Sequence, residues 1–276
     1  MITTEGSLHV KRFLAGSVGS IARSIALGVG TSAESASDTT LNFETVRADV
    51  TLVSYDFTTN RLVFKASFPE GFLGTVYEVG LWSLGTNYLA SDFGSRDIAL
   101  FDTSENWTGT FGTTAARVGL DAIQHTPAAS VASTSIMNST TYDFSGYSSM
   151  DEFVFAYNIG NTNTSQITFR FLTDASNYYA FSQGVQTAGY KVTRTTKGNA
   201  SVVGAPNWSS ISEIRVITTS AATGASAVSL DGIRLEDKDT YVKDNILVAR
   251  EVLATPFIKS ETMPQDVEFS LAVTIA

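Results

Sequence analysis

Strict alternation of apolar and polar residues in short runs is the feature that most limits what this chain can become. A period of two is satisfied only by strands with one covered face. In "NRLVFKASF", Leu62, Phe64, Ala66 and Phe68 share a face opposite Val63, Lys65 and Ser67. In "DEFVFAYNIG", Phe153, Phe155 and Tyr157 alternate with Val154 and Ala156. In "QITFRFLTD", Ile167, Phe169 and Phe171 lie opposite Thr168 and Arg170. Turn-rich clusters such as "FPEGF", "NIGNTNTS" and "TTKGNAS" separate these runs. Several short strands at this spacing predict an all-β chain of antiparallel sandwiches or jelly rolls. Helical periodicity is scarce. "VGSIARSIALG" reads as a short turn or an apolar strand, and His9 falls in a first strand, in a structural role.

The last run, "QDVEFSLAVTIA", alternates Val267, Phe269, Leu271, Val273 and Ile275 with Glu268, Ser270, Ala272 and Thr274. It is expected to pair with strands of the N-terminal region. Near residue 100 the chain becomes richer in Ser, Thr and Asn, and that texture ends after "AVSLDGIRLED". The expectation is a discontinuous β-sandwich anchoring domain, residues 1–98 and 239–276, with a jelly-roll β-sandwich inserted at 99–238. Insertions are tolerated where two chain ends meet on a surface.

Composition removes several function classes. Of 276 residues, 27 are acidic and 18 basic, a net charge of -9, which disfavours nucleic acid and anionic membranes as partners. There is no cysteine, so disulfide scaffolds and thiolate metal sites are excluded. No run of 18 apolar residues predicts a membrane span. The opening "MITTEGSLHVKRFLAGSVGS" does not read as a signal peptide, so synthesis in a cytoplasm is expected.

Catalytic signals are weak. The two histidines, His9 and His125, are far apart, and His125 reads as a loop residue; no serine-hydrolase or zinc-protease motif accompanies them. Of the acids, adjacent Asp151 and Glu152 point to opposite faces of a strand, and Glu236, Asp237 and Asp239 read as a solvated link between domains. No enzymatic activity and no cofactor are expected. Asp102, Glu105 and Asp231 are candidate ligands of a structural Ca2+, although Asp in "FDTSEN" and "LDGI" is more simply read as turn-forming. Aromatic faces beside amides and acids suit sugar rings, which marks Trp107, Tyr147, Tyr178 and Tyr179, with Asn177, as candidate glycan-binding residues. The same rings also serve as core anchors. Tyr178 and Tyr179 are adjacent, so an extended chain turns at most one of them inward. Trp208 is expected to pack in the core.

The stretch "IALGVGTSAESASDTTLNFETVRADV" followed by "NRLVFKASFPEGFLGTVYEVGLWS" resembles structural modules of tailed-phage virions. The resemblance rests on Asp38, Thr39, Leu41, Glu44 and Arg47, with one additional residue between Thr39 and Leu41, and on Tyr77, Glu78, Gly80 and Leu81. The closing "LVAREVLATPFIKSETMPQDVEFSLAVTI" looks like the end of the same module. "SNYYAF", "GAPNWSSISEIRV" and "VSLDGIRL" resemble carbohydrate-binding, lectin-like jelly rolls, with Val228, Leu230, Asp231 and Ile233 as the closing strand. These resemblances imply a virion protein associated with the tail, as fibre or collar, that attaches to host-surface glycan. Its partners would be other virion proteins and copies of itself, as a trimer on the pattern of fibres. The alternatives are a capsid decoration or head-fibre protein and, from a different class, a glycan-active enzyme. In "GTVYEVGLWS", alternation places Val76, Glu78, Gly80 and Trp82 on one face, so Glu78 is expected on an assembly or scaffold strand, with Arg47 or Arg250 as its basic partner.

Overall fold

The computed structural model describes residues 1–71, 73–84, 96–101, 106–108, 110–112, 116–129, 133–184, 187–221, 223–236 and 245–272. Val273 and Ile275 of the last alternating run, and Asp237 and Asp239, lie outside the described residues. The chain divides into two compact units. A split unit comprises Met1–Phe93 and Thr240–Ala276, and an inserted unit comprises Gly94–Asp239.

The split unit opens with helix α1 (Thr4–Leu14) and strands β1 (Ser24–Gly28), β2 (Glu44–Asp56), β3 (Arg61–Phe68) and β4 (Gly74–Trp82). The inserted unit contains β5 (Arg96–Ala99), β6 (Thr110–Gly112), β7 (Ala122–His125), β8 (Ser133–Asn138), β9 (Glu152–Ile159), β10 (Thr164–Asp174) and β11 (Asn177–Gln183). It continues with β12 (Gly189–Thr196), β13 (Ser201–Val203), β14 (Glu213–Ser220) and β15 (Val228–Glu236). Strands β16 (Leu247–Lys259) and β17 (Gln265–Ala272) return to the split unit. Because β5 pairs with β15, residues 96–98 lie in the inserted unit and not, as the sequence suggested, in the split one.

In the split unit the strand order is β16-β4-β1-β2-β3-β17, antiparallel throughout. The long β2 pairs with β1 through its first half and with β3 through its second. Ile25, Leu27, Val79 and Leu81 from one half meet Phe64, Ala66, Phe68, Val267, Phe269 and Leu271 from the other in a single core. The alternation of β3 and β17 thus becomes one buried face, as period two requires.

Residues 4–14 form a helix, not the strand expected around His9. Its signals are short-range. Thr3 caps it by accepting from the Gly6 amide at 2.9 Å, Glu5 sits in the first turn, and Lys11 and Arg12 sit in the last. Gly6, His9 and Val10, spaced for one helical face, are buried. Gly6 is there because a Cβ would lie 2.0 Å from the Val248 carbonyl oxygen.

The inserted unit is a jelly-roll β-sandwich. One sheet runs β13-β11-β10-β14-β8; the other runs β12-β9-β15-β7-β6, with β5 also on β15. The two alternating runs read from the sequence supply facing layers. Phe155 of β9 stacks on Phe169 of β10 at 3.9 Å, and Phe153 meets Phe171 at 4.5 Å between ring centres. Tyr157, Ile159, Ile167, Phe181, Ile214, Val216, Leu230 and Ile233 complete the core.

Candidate glycan-binding face

The inward faces of β10, β11 and β14 are filled by the core, so their alternate residues form the outer face of the five-stranded sheet. The register places Val203, Tyr178, Leu172 and Glu213 in one cross-strand row, and Ser201, Ala180, Arg170 and Arg215 in the next. Ser182, Thr168 and Ile217 follow, with the Thr168 and Ser182 hydroxyls 3.1 Å apart. Leu172, Ala180 and Thr168 are small or aliphatic and buried, a floor overlaid by longer neighbours. The Arg170 guanidinium lies 4.6 Å over the Tyr178 ring. Arg215 donates from Nε to Glu213 at 2.5 Å. An aromatic ring flanked by fixed donors and an acceptor on a floor of low relief is what a sugar ring requires: one face to stack on and hydroxyl partners at its rim.

The other marked aromatics are placed differently. Trp107 is 5% exposed and packs edge-on against Phe101 in the sandwich core, which corrects its assignment as a sugar platform. Tyr179 points opposite to Tyr178, as adjacency in a strand demands. Its ring stacks on Trp208 at 3.8 Å and its hydroxyl donates to the Pro206 carbonyl at 2.8 Å. Trp208 packs on the core, as expected, and the buried Lys197 ammonium lies 5.4 Å from its ring. Tyr147 is partly buried against the same core, and its carbonyl accepts from Lys197. Asn177 does not reach toward a ligand. Its amide nitrogen donates to both Asp174 oxygens, at 2.9 and 2.7 Å, and its oxygen accepts from the Ala205 amide. Asn177 therefore locks the β10–β11 hairpin, and these bonds, with the Ser176 amide, hold the Asp174 carboxyl below its usual pKa.

On the opposite sheet, Asp231 is fully buried at a bulge of β15. Its Oδ2 accepts from the Arg117 and Val118 amides, each at 2.9 Å, and from the Tyr190 hydroxyl. Asp102 and Glu105, proposed with it as Ca2+ ligands, lie outside the described residues. Among the described residues no group of three acids or histidines is disposed around a common point. Glu152 and Glu236 are both ion-paired to Arg194, and Arg234 bridges Asp97 and Glu236. Asp151 is buried and accepts from the Ser148 amide.

His125, read as a loop residue, ends β7 instead. It is buried, with Nδ1 3.2 Å from the Thr218 hydroxyl, and burial lowers its pKa from 6.5. The folded state therefore binds fewer protons there than the unfolded chain. Stability from this site is present above a pH of about 6.5 and is lost as pH falls below it. Thermal unfolding followed between pH 7.5 and 5.5 is expected to show this loss, and His125→Gln to flatten it.

Glu78, Arg47 and Arg250, marked as assembly residues, are all buried inside the split unit, where no neighbouring subunit can reach them. The face carrying Glu78 and Gly80 is indeed approached closely, but by the chain's own 29–43 segment: a Cβ on Gly80 would lie 2.9 Å from the Leu41 side chain. Glu78 accepts from the amides of Gly30, Asn42 and Phe43 at 3.0–3.2 Å and from Arg250 Nε at 2.8 Å. Arg250 also donates to Asp38 at 2.9 Å and to the Ser32 carbonyl at 3.1 Å. Of the two basic partners foreseen, Arg250 is the one. Arg47 forks onto Glu44 through two 2.8 Å bonds and lies 4.1 Å over Trp82.

No family model and no curated protein matches the chain. Among solved structures, the chain is similar to an agarase, AgWH50C, at 12% identity and TM-score 0.38, over 52% of this chain and 25% of that one. It is similar to a family 11 carbohydrate-binding module from Clostridium thermocellum, solved with a β-1,3-1,4-mixed-linked tetrasaccharide, at 13% identity and TM-score 0.41, over 53% of this chain and 98% of the module. It is also similar to the enzymatically active domain of bacteriophage CBA120 tailspike protein 4, at 14% identity and TM-score 0.31, over 49% of this chain and 20% of that one. The fold and the site rest on the strands and side chains described above, not on these likenesses.

Proposed function

We propose that this chain is a non-enzymatic virion structural protein of a tailed phage that attaches to host-surface glycan, with the split unit as anchor and the inserted sandwich as the sugar-binding module. The observation that carries the glycan reading is Tyr178. Of the four aromatics marked from the sequence, Trp107, Tyr147 and Tyr179 pack on or in the core, whereas Tyr178 lies on an outer sheet face beside Arg170 and above an aliphatic floor. The non-enzymatic reading is supported by the state of the described acids that were weighed for hydrolysis. Glu78, Glu152 and Glu236 are held in ion pairs, and Asp151 by a hydrogen bond. The virion reading is supported by the resemblance of roughly residues 20–90 and 245–276 to tailed-phage modules.

Tyr178→Ala is expected to weaken binding on a glycan array or to host cells about tenfold, the effect of losing one stacking platform, with the melting temperature held. Tyr179→Ala is expected to do the reverse, lowering stability through the Trp208 stack. Retained binding in Tyr178→Ala would reject the site. Quantitative mass spectrometry of purified particles tests the rest: absence of the chain rejects the virion reading, and its copy number separates a tail position from a capsid one.

A further inference from the structure

Taking the outer-face reading above as its basis, we infer that the face selects an acidic glycan, one sugar carboxylate lying between the guanidinium edges of Arg170 and Arg215. Three observations lead there. First, the register sets Arg170 directly opposite Arg215 on neighbouring strands, a like-charge pair that disfavours the sheet unless an anion lies between them. The chain has a net charge of -9, so the juxtaposition is not a by-product of general basicity.

Second, Arg170 is half-buried and has no carboxylate. Arg47, Arg194, Arg234 and Arg250, which are buried or half-buried, each hold one. The Arg170 side chain makes no ion pair or hydrogen bond among the described residues, and its Nε is buried without an acceptor. A guanidinium without an acceptor of its own keeps its accessible N–H groups for an anionic ligand.

Third, the geometry directs what can bind. The Arg170 guanidinium carbon is held 4.6 Å over the Tyr178 ring, and its planar fork of N–H donors suits gripping a carboxylate with two parallel bonds. Glu213 neutralises Arg215 through Nε only, so the three side chains together hold one uncompensated positive charge. A single carboxylate matches it, whereas a phosphate monoester carries more charge than the face can balance. A sugar bearing that carboxylate on one edge sets its ring against Tyr178.

The test is calorimetry on the full chain with oligogalacturonate, a glucuronate-containing oligosaccharide and a sialylated oligosaccharide, each also as its methyl ester, plus a sulfated and a neutral glucan oligosaccharide. The wild type is expected to bind at least one acid, with its ester about tenfold weaker or worse. Arg170→Gln is expected to abolish that difference, bringing the acid down to the ester, while leaving the melting temperature equal or higher because a like-charge opposition is removed. Arg215→Gln provides the second variant, with the same direction of effect. Equal binding of acid and ester, preference for the sulfated or neutral oligosaccharide, or an unaltered acid preference in both variants overturns the inference while leaving the sugar-binding face standing. Binding of no oligosaccharide by the wild type overturns both.

Discussion

Replacing Glu78 with Gln is expected to destabilise the split unit by about 3–5 kcal/mol, the range for removing one member of a buried pair. Glu78 is fully buried, and the Arg250 side chain is 1% exposed. The amide cannot neutralise the guanidinium, and its NH2 offers a donor where Gly30, Asn42, Phe43 and Arg250 all present donors already. Asp38 at 2.9 Å from Arg250 compensates only in part. A fall in melting temperature on the order of 10 °C for the split unit is the readout. The double variant Glu78→Leu with Arg250→Met is expected to lose less than the sum of its singles, because exchanging a whole buried pair for apolar groups avoids stranding a charge. An unchanged melting temperature in Glu78→Gln would show that the 29–43 segment is held by something else.

Phe153→Ala is expected to cost the inserted unit about 3–5 kcal/mol. Phe153 is fully buried, and its ring lies 4.5–5.8 Å from those of Phe144, Phe171, Phe181 and Trp208. Phe171 and Phe181 are fixed in the sheet facing Phe153, and Phe144 and Trp208 in two separate connecting segments, so they cannot collapse together into the space left behind. Denaturant unfolding should shift its midpoint without a matching change in slope, and Trp208 emission should move to the red. Tyr178→Ala, on the outer face of the same sandwich, is expected to alter stability by less than about 1 kcal/mol. Equal losses in the two variants would contradict the division between core and ligand face.

Much of the strand pattern was legible because period two is a local property. Leu62 to Phe68, Phe153 to Tyr157 and Ile167 to Phe171 each declared one buried face, and the facing layers of the sandwich follow from them. The helix at Thr4–Leu14 was missed because its buried face, Gly6, His9 and Val10, holds a single aliphatic side chain and so carries little apolar signal. Trp107 was misassigned because an aromatic beside turn residues looks the same from the sequence whether its loop folds over the core or away from it.

The sequence by itself determined which residues share a face, that Tyr178 and Tyr179 must diverge, and that an acid sits at the centre of "GTVYEVGLWS". Only the tertiary structure decided which faces are covered and by what. Arg250 reaches Glu78 from 172 positions away, and Arg170 meets Arg215 across a pairing of β10 with β14 that skips β11, β12 and β13. Alternation fixes the side of a strand on which a residue stands. The cost or use of a charge there depends on what the fold brings opposite it, and that is set by contacts between residues far apart in the chain.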